Sequence, residues 1–249
     1  MARTTTTKFI GFFRLVEACD RPGCPVCHCL IADARQYLES VLYEQVTDPG
    51  TRARLGRSWG FCNWHAWMLR ETSAPSFGSA IVYEALVRAV IERFERVAEP
   101  AAGRRRRRLG WLRRMGGRAT GAATLAERYR ARPICPGCRL LVESERRYLE
   151  MALQFAGDSE FDRAYERSHG LCVPHVMRAL EIDDGGAAGP RLVAHTLPKL
   201  ADLRRDLEAF VGKHDHRNRQ PFTEAESVAC ARALEAMTGA PGLFGKGGG

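Results

Sequence analysis

Residues Cys24–His65 read CPVCHCLIADARQYLESVLYEQVTDPGTRARLGRSWGFCNWH, and residues Cys135–His175 read CPGCRLLVESERRYLEMALQFAGDSEFDRAYERSHGLCVPH. The second stretch repeats the first. Cys24, Cys27, Tyr37, Leu38 and Glu39 recur 111 positions later as Cys135, Cys138, Tyr148, Leu149 and Glu150. After a one-residue deletion, Gly60, Cys62 and His65 recur as Gly170, Cys172 and His175. Each copy is therefore CPxC, then 34 or 33 residues ending in G-[F/L], then C-x-x-H. An internal duplication of this kind sets the architecture before any single element does.

Two thiolates in a Cys-x-x-Cys fit adjacent corners of a tetrahedron, and a Cys-x-x-His on the first turn of a helix supplies the other two. Zn²⁺ favours four N/S ligands in that geometry. Each copy by itself carries a complete Cys₃His set, so the expected centres are Cys24, Cys27, Cys62 and His65, and Cys135, Cys138, Cys172 and His175. Two zinc ions per chain are expected. Four ligands leave no open corner, which points to a structural metal. An iron–sulfur cluster fits the same spacing, and CPVC and CPGC also resemble redox dithiols, although the strand-helix-strand setting of those dithiols is missing. Cys24-x-x-Cys27-His28 has the spacing of c-type haem attachment, but the second copy has Arg139 in place of His28. Cys19, His28, Cys29 and Cys230 have no counterparts and are read as bystanders.

The spacers have helical periodicity. Leu30, Ala34, Tyr37, Leu38, Val41 and Leu42 share one face, Asp48-Pro49-Gly50 ends that helix, and a shorter one is expected from Thr51 to Trp59. Gly60 and Gly170 stand where left-handed caps turn the chain into each Cys-x-x-His. Long amphipathic segments follow near 77–97 and 191–211, the second with Pro198 as an expected kink. A last helix is expected over 223–237. Strand signals are almost absent. The expected fold is all-α, two pseudo-symmetric helical repeats each pinned by a Cys₃His metal site. In chain order these are a first repeat (1–100), a basic linker (101–132), a second repeat (133–221), and a C-terminal helix with a disordered glycine tail (222–249).

The 249 residues are 45% hydrophobic, enough for a real core. No run approaches the apolar length of a membrane span, the start lacks the pattern of a secretory signal, and nine cysteines suit metal ligation in a reducing cytoplasm. The net charge of +9 is concentrated. Residues 101–132 hold eleven arginines against the single acid Glu127, a net of +10, which leaves the rest of the chain at −1. The stretch 104–118, with Leu109, Trp111, Leu112 and Met115, is read as a flexible linker with a secondary attraction for nucleic acid or an anionic surface.

With these motifs in place, the chain resembles an uncharacterised bacterial family, a domain of unknown function. The resemblance rests on the CPxC and G-[F/L]-C-x-x-H elements, on LYEQVTDPG (Leu42–Gly50), and on the Lys213-His214-Asp215-His216-Arg217 stretch. It implies no activity, substrate or partner. Tyr37, Glu39, Tyr148 and Glu150 are read as helix-face residues before catalytic ones. His195, Asp215 and Arg217 are a conceivable polar cluster that nothing in the sequence draws together. There is no Walker lysine loop, G-x-S-x-G elbow or H-E-x-x-H, so enzyme activity is not supported. The expectation is a structural-zinc binding or regulatory module. The alternatives are a redox-sensing zinc–thiolate protein and a nonspecific nucleic-acid binder.

Overall fold

The computed structural model describes residues 8–72, 75–98, 121–215, 217–218 and 220–244. Among the described residues there is no strand. The described residues form twelve α-helices in order: α1 (Ile10–Ala18), α2 (Pro25–Tyr43), α3 (Pro49–Ser58), α4 (Asn63–Met68), α5 (Pro75–Ala98), α6 (Gly121–Arg130), α7 (Pro136–Gln154), α8 (Ser159–Arg167), α9 (Val173–Asp183), α10 (Ala188–Lys213), α11 (Glu224–Ser227) and α12 (Ala229–Thr238). A 3₁₀ turn, Leu69–Glu71, extends α4.

Local chemistry accounts for the helix starts. Proline stands at the first position of α2 and of α7, where its missing N–H costs nothing. The carbonyls of Cys24 and Cys135, just before them, accept from His28 N–H and Arg139 N–H at 3.2 and 3.0 Å. Asp48 caps α3 by accepting from Thr51 N–H at 2.6 Å, and Asp158 caps α8 by accepting from Glu160 and Phe161 N–H. Helix α3 ends on two left-handed residues, Trp59 (φ 60°) and Gly60 (φ 94°). Gly170 also has positive φ (79°), as the motif requires, but stands two residues beyond the cap of α8. Helix α10 runs 26 residues through Pro198. The single helix expected over 223–237 is two, divided at Val228, and α11 opens on a Thr223–Glu226 capping box.

The chain forms two compact units. One takes the chain up to Ala34 and again from Leu140; the other takes Arg35–Arg139. These units cut across the two sequence copies, whereas the expected 1–100 and 133–221 division follows them. Both boundaries fall inside long helices, α2 and α7, so each copy begins in one unit and continues in the other. Of the expected linker 101–132, residues 121–130 are helix α6. The arginine-rich stretch 104–118 and the glycine tail lie outside the described residues.

In the first unit, Phe12 of α1 meets Phe155 with ring centroids 4.5 Å apart. Phe161 stacks on Tyr165 at 5.6 Å, and both are fully buried. The Tyr165 hydroxyl is satisfied by Thr196 Oγ1 (2.9 Å) and by Leu171 N–H (3.1 Å), which fixes the chain one residue before Cys172. In the second unit, Val41, Leu55 and Val82 form the core of α2, α3 and α5, with Tyr37, Val46, Phe61, Tyr83 and Leu86 packed around it. Phe61 lies edge-on to Tyr37 at 6.5 Å, fixing the chain one residue before Cys62.

Candidate metal centres

All eight cysteines and histidines singled out by the motifs lie in two tight clusters, but not in the expected partition. Cys24 and Cys27 converge with Cys172 and His175; Cys62 and His65 converge with Cys135 and Cys138. Each cluster joins the CPxC of one copy to the Cys-x-x-His of the other. The pairing within a copy is thereby corrected, and helix length gives the reason. Helix α2 begins at the CPxC and rises about 1.5 Å per residue, so Tyr37 stands about 15 Å beyond Cys27. Phe61 is packed on Tyr37, so the Cys-x-x-His that follows it is held well along the helix from the CPxC of its own copy.

The helix starts aim the ligands. Cys62 and Cys172 are the N-cap residues of α4 and α9, and their carbonyls accept from Ala66 and Val176 N–H at 2.9 Å each. His65 and His175 then fall on the first turn, with Nδ1 facing the thiols. In the first cluster Nδ1 of His175 is 3.3 Å from Cys24 Sγ, 3.6 Å from Cys27 Sγ and 3.3 Å from Cys172 Sγ. The sulfurs of Cys27 and Cys172 are 3.8 Å apart. In the second cluster Nδ1 of His65 is 3.1, 3.7 and 3.5 Å from the sulfurs of Cys62, Cys135 and Cys138. Cys62 and Cys138 are 3.6 Å apart. A tetrahedral Zn²⁺, with bonds of about 2.3 Å to sulfur and about 2.0 Å to nitrogen, spaces two thiolates about 3.8 Å apart and a thiolate and nitrogen about 3.5 Å apart. In each cluster the three sulfur–nitrogen distances and this sulfur–sulfur distance lie within about 0.4 Å of those values, and all four ligand atoms lie within 4.8 Å of one another. All nine cysteines are free thiols, far from disulfide length.

Electrostatics point the same way. Burial raises the pKa of Cys24, yet hydrogen bonds from Cys172, Cys27 and His175 outweigh it and hold this thiol well below its ordinary range. Cys62 is likewise held low by hydrogen bonds from Cys135 and Cys138. Their neighbours Cys27 and Cys138 are driven up by the same contacts. Burial pulls His65 down, but hydrogen bonds to Cys135 and Cys62 raise it to about 9. Cysteine and histidine bind a metal only when deprotonated, so a metal held by either cluster would be bound more weakly as the pH is lowered.

The two clusters differ around the ligands. Nε2 of His175 lies 3.5 Å from Glu145 Oε1, an ion-pair distance too long for a well-formed hydrogen bond, and it has no hydrogen-bond partner. A small closure of that gap would give the carboxylate–histidine pair that orients a metal-bound imidazole. Position 34, the counterpart of Glu145 in the first copy, is alanine, and His65 Nε2 is buried without a hydrogen bond. Glu145→Ala is expected to weaken the first centre about 10- to 100-fold and leave the second unchanged, as read by competition with a chromophoric chelator. Gly137 of the second CPxC lies under the His65 ring, where an added Cβ would meet Cγ, Cδ2 and Nε2 at 2.8–2.9 Å.

The remaining candidates resolve as structural. His28 Nε2 is engaged with the Pro22 carbonyl at 2.6 Å, and Cys29 donates to the Arg14 carbonyl, so neither joins a cluster. Burial pushes the Cys19 and Cys29 thiols up to about 12, which keeps them protonated. Cys230 is exposed. Tyr37 packs on Phe61, Tyr148 donates to Asp33 at 3.3 Å, Glu150 pairs with Arg146, and Glu39 is exposed. His195 sits edge-on to Tyr165 and 4.0 Å from Glu166. Asp215 accepts from Arg217 N–H just past the end of α10, some 18 residues or about 27 Å of helix from His195, so these three form no common site. Nothing in the motif spacing marks Glu145, a carboxylate seven residues after Cys138, as the neighbour of His175 that the structure makes it.

No helix among the described residues is long and apolar enough to cross a membrane. No curated protein and no solved structure matches the chain significantly. Residues 12–241 match the family of unknown function DUF6062, and the chain belongs to that family.

Proposed function

We propose that this protein is a zinc-stapled helical module, two pseudo-symmetric repeats in which each Zn²⁺ joins the CPxC of one repeat to the Cys-x-x-His of the other. The observation that carries this reading is the convergence of three sulfurs and one nitrogen in each cluster, with sulfur–nitrogen distances of 3.1–3.7 Å that suit a tetrahedral ion. Cys24, Cys27, Cys172 and His175 hold one ion; Cys62, His65, Cys135 and Cys138 hold the other. With four protein ligands each, the ions are structural, and the module acts by presenting its helices to a partner in a binding or regulatory role. Metal analysis of the purified chain tests this: two zinc per chain are expected. Iron with visible sulfur-to-iron absorbance, or less than one metal per chain, contradicts it.

A further inference from the structure

The two centres use the same ligand types on the same kinds of helix start, yet they are protected unequally. All four ligands of the first are buried: Cys24 at 6% exposure, Cys27 at 1%, Cys172 at 2% and His175 at 0%. The chain beyond α12 closes over them. Ala240 N–H donates to Cys27 Sγ at 3.5 Å, and the Phe244 ring lies edge-on to His175 with centroids 5.0 Å apart. In the second centre His65 and Cys135 are buried, but Cys62 and Cys138 are partly exposed. The sulfurs of these two partly exposed thiols lie 3.6 Å apart.

The geometry points to the Cys62–His65–Cys135–Cys138 centre as a redox-labile metal site, at which a hydroperoxide converts Cys62 and Cys138 to a disulfide and expels the ion. This rests on both clusters holding metal. One partly exposed thiolate attacks the peroxide and breaks the O–O bond, giving a sulfenic acid and, with a proton from solvent, one molecule of water or alcohol. The second thiolate displaces the sulfenic oxygen as water and forms the S–S bond. Two thiolates lose two electrons in all; the peroxide accepts them together with two protons. Closing the sulfurs from 3.6 Å to about 2.05 Å removes two of the four ligands, and the ion leaves. The first centre, with no exposed thiolate, keeps its metal. Cys19 and Cys29, at 2% and 4% exposure, are buried away from solvent peroxide and do not compete.

The test uses the full chain with Cys230→Ser, which removes the exposed thiol outside both clusters. Zinc content is measured first, then hydrogen peroxide is titrated in while released zinc is followed with a chromophoric chelator and disulfides are mapped by mass spectrometry. The expected result is loss of one of the two zinc equivalents with a Cys62–Cys138 disulfide, before any loss of the second. Release of both ions in parallel, release with a disulfide among Cys24, Cys27 and Cys172, or no release under peroxide overturns the proposal and leaves the metal reading intact. A chain that carries no zinc before peroxide is added overturns both.

Discussion

Stripping the metal is expected to abolish cooperative unfolding of both units. The first centre ties the start of α2 to the start of α9 across 145 residues of chain, and the second ties α4 to α7 across 76. Such closures are costly in chain entropy without a link. A structural zinc supplies apparent binding energy of about 10–16 kcal/mol, as large as the roughly 5–15 kcal/mol total stability of an ordinary domain. Without the ion, moreover, each cluster crowds three thiols and an imidazole at 3.1–3.8 Å, where lone pairs and protons compete for the same space. The measurement is a thermal melt by circular dichroism with and without a strong chelator. A melting transition unchanged by complete metal removal contradicts the structural role.

Gly137→Val is the second large effect. The residue between the thiols of the first CPxC is Val26, wholly buried, so valine is compatible with the motif itself. At position 137 the first carbon of any side chain would lie within 3 Å of three ring atoms of His65. His65 is fully buried and cannot yield without withdrawing Nδ1 from the three sulfurs. The expected outcome is a fall from two zinc per chain to one, the remaining ion being held by the first centre, with destabilisation confined to the unit of Arg35–Arg139. A Gly137→Val chain that still binds two ions would show that the His65 ring does not sit over the second CPxC.

The fold class was legible in the sequence because helix periodicity, the proline starts and the Asp48 cap are local signals. The eight ligands were legible because the duplication repeats them in register. Their partition was not. Either pairing gives three cysteines and one histidine per centre, so motif counting is blind to the difference. The deciding information lies in the 19-residue helices that begin at Pro25 and Pro136, whose length carries each CPxC away from its own Cys-x-x-His. That length was readable from the apolar stripe of Leu30, Ala34, Leu38 and Val41. What was not readable is the packing of Phe61 on Tyr37, which turns the length into a separation. The compact units were hidden for the same reason, since a crossing of copies leaves no mark on composition. Glu145 became visible only through its distance from His175.

The crossed pairing is tested most directly by counting metal in two double variants that each remove two cysteines. In Cys24→Ser/Cys172→Ser both changes fall in one centre, so the account predicts that one zinc remains per chain, bound by Cys62, His65, Cys135 and Cys138. In Cys24→Ser/Cys62→Ser each centre loses a thiolate, and no tightly held zinc is predicted. The reverse outcome, one zinc in Cys24→Ser/Cys62→Ser and none in Cys24→Ser/Cys172→Ser, would place each ion within a single copy and contradict the account.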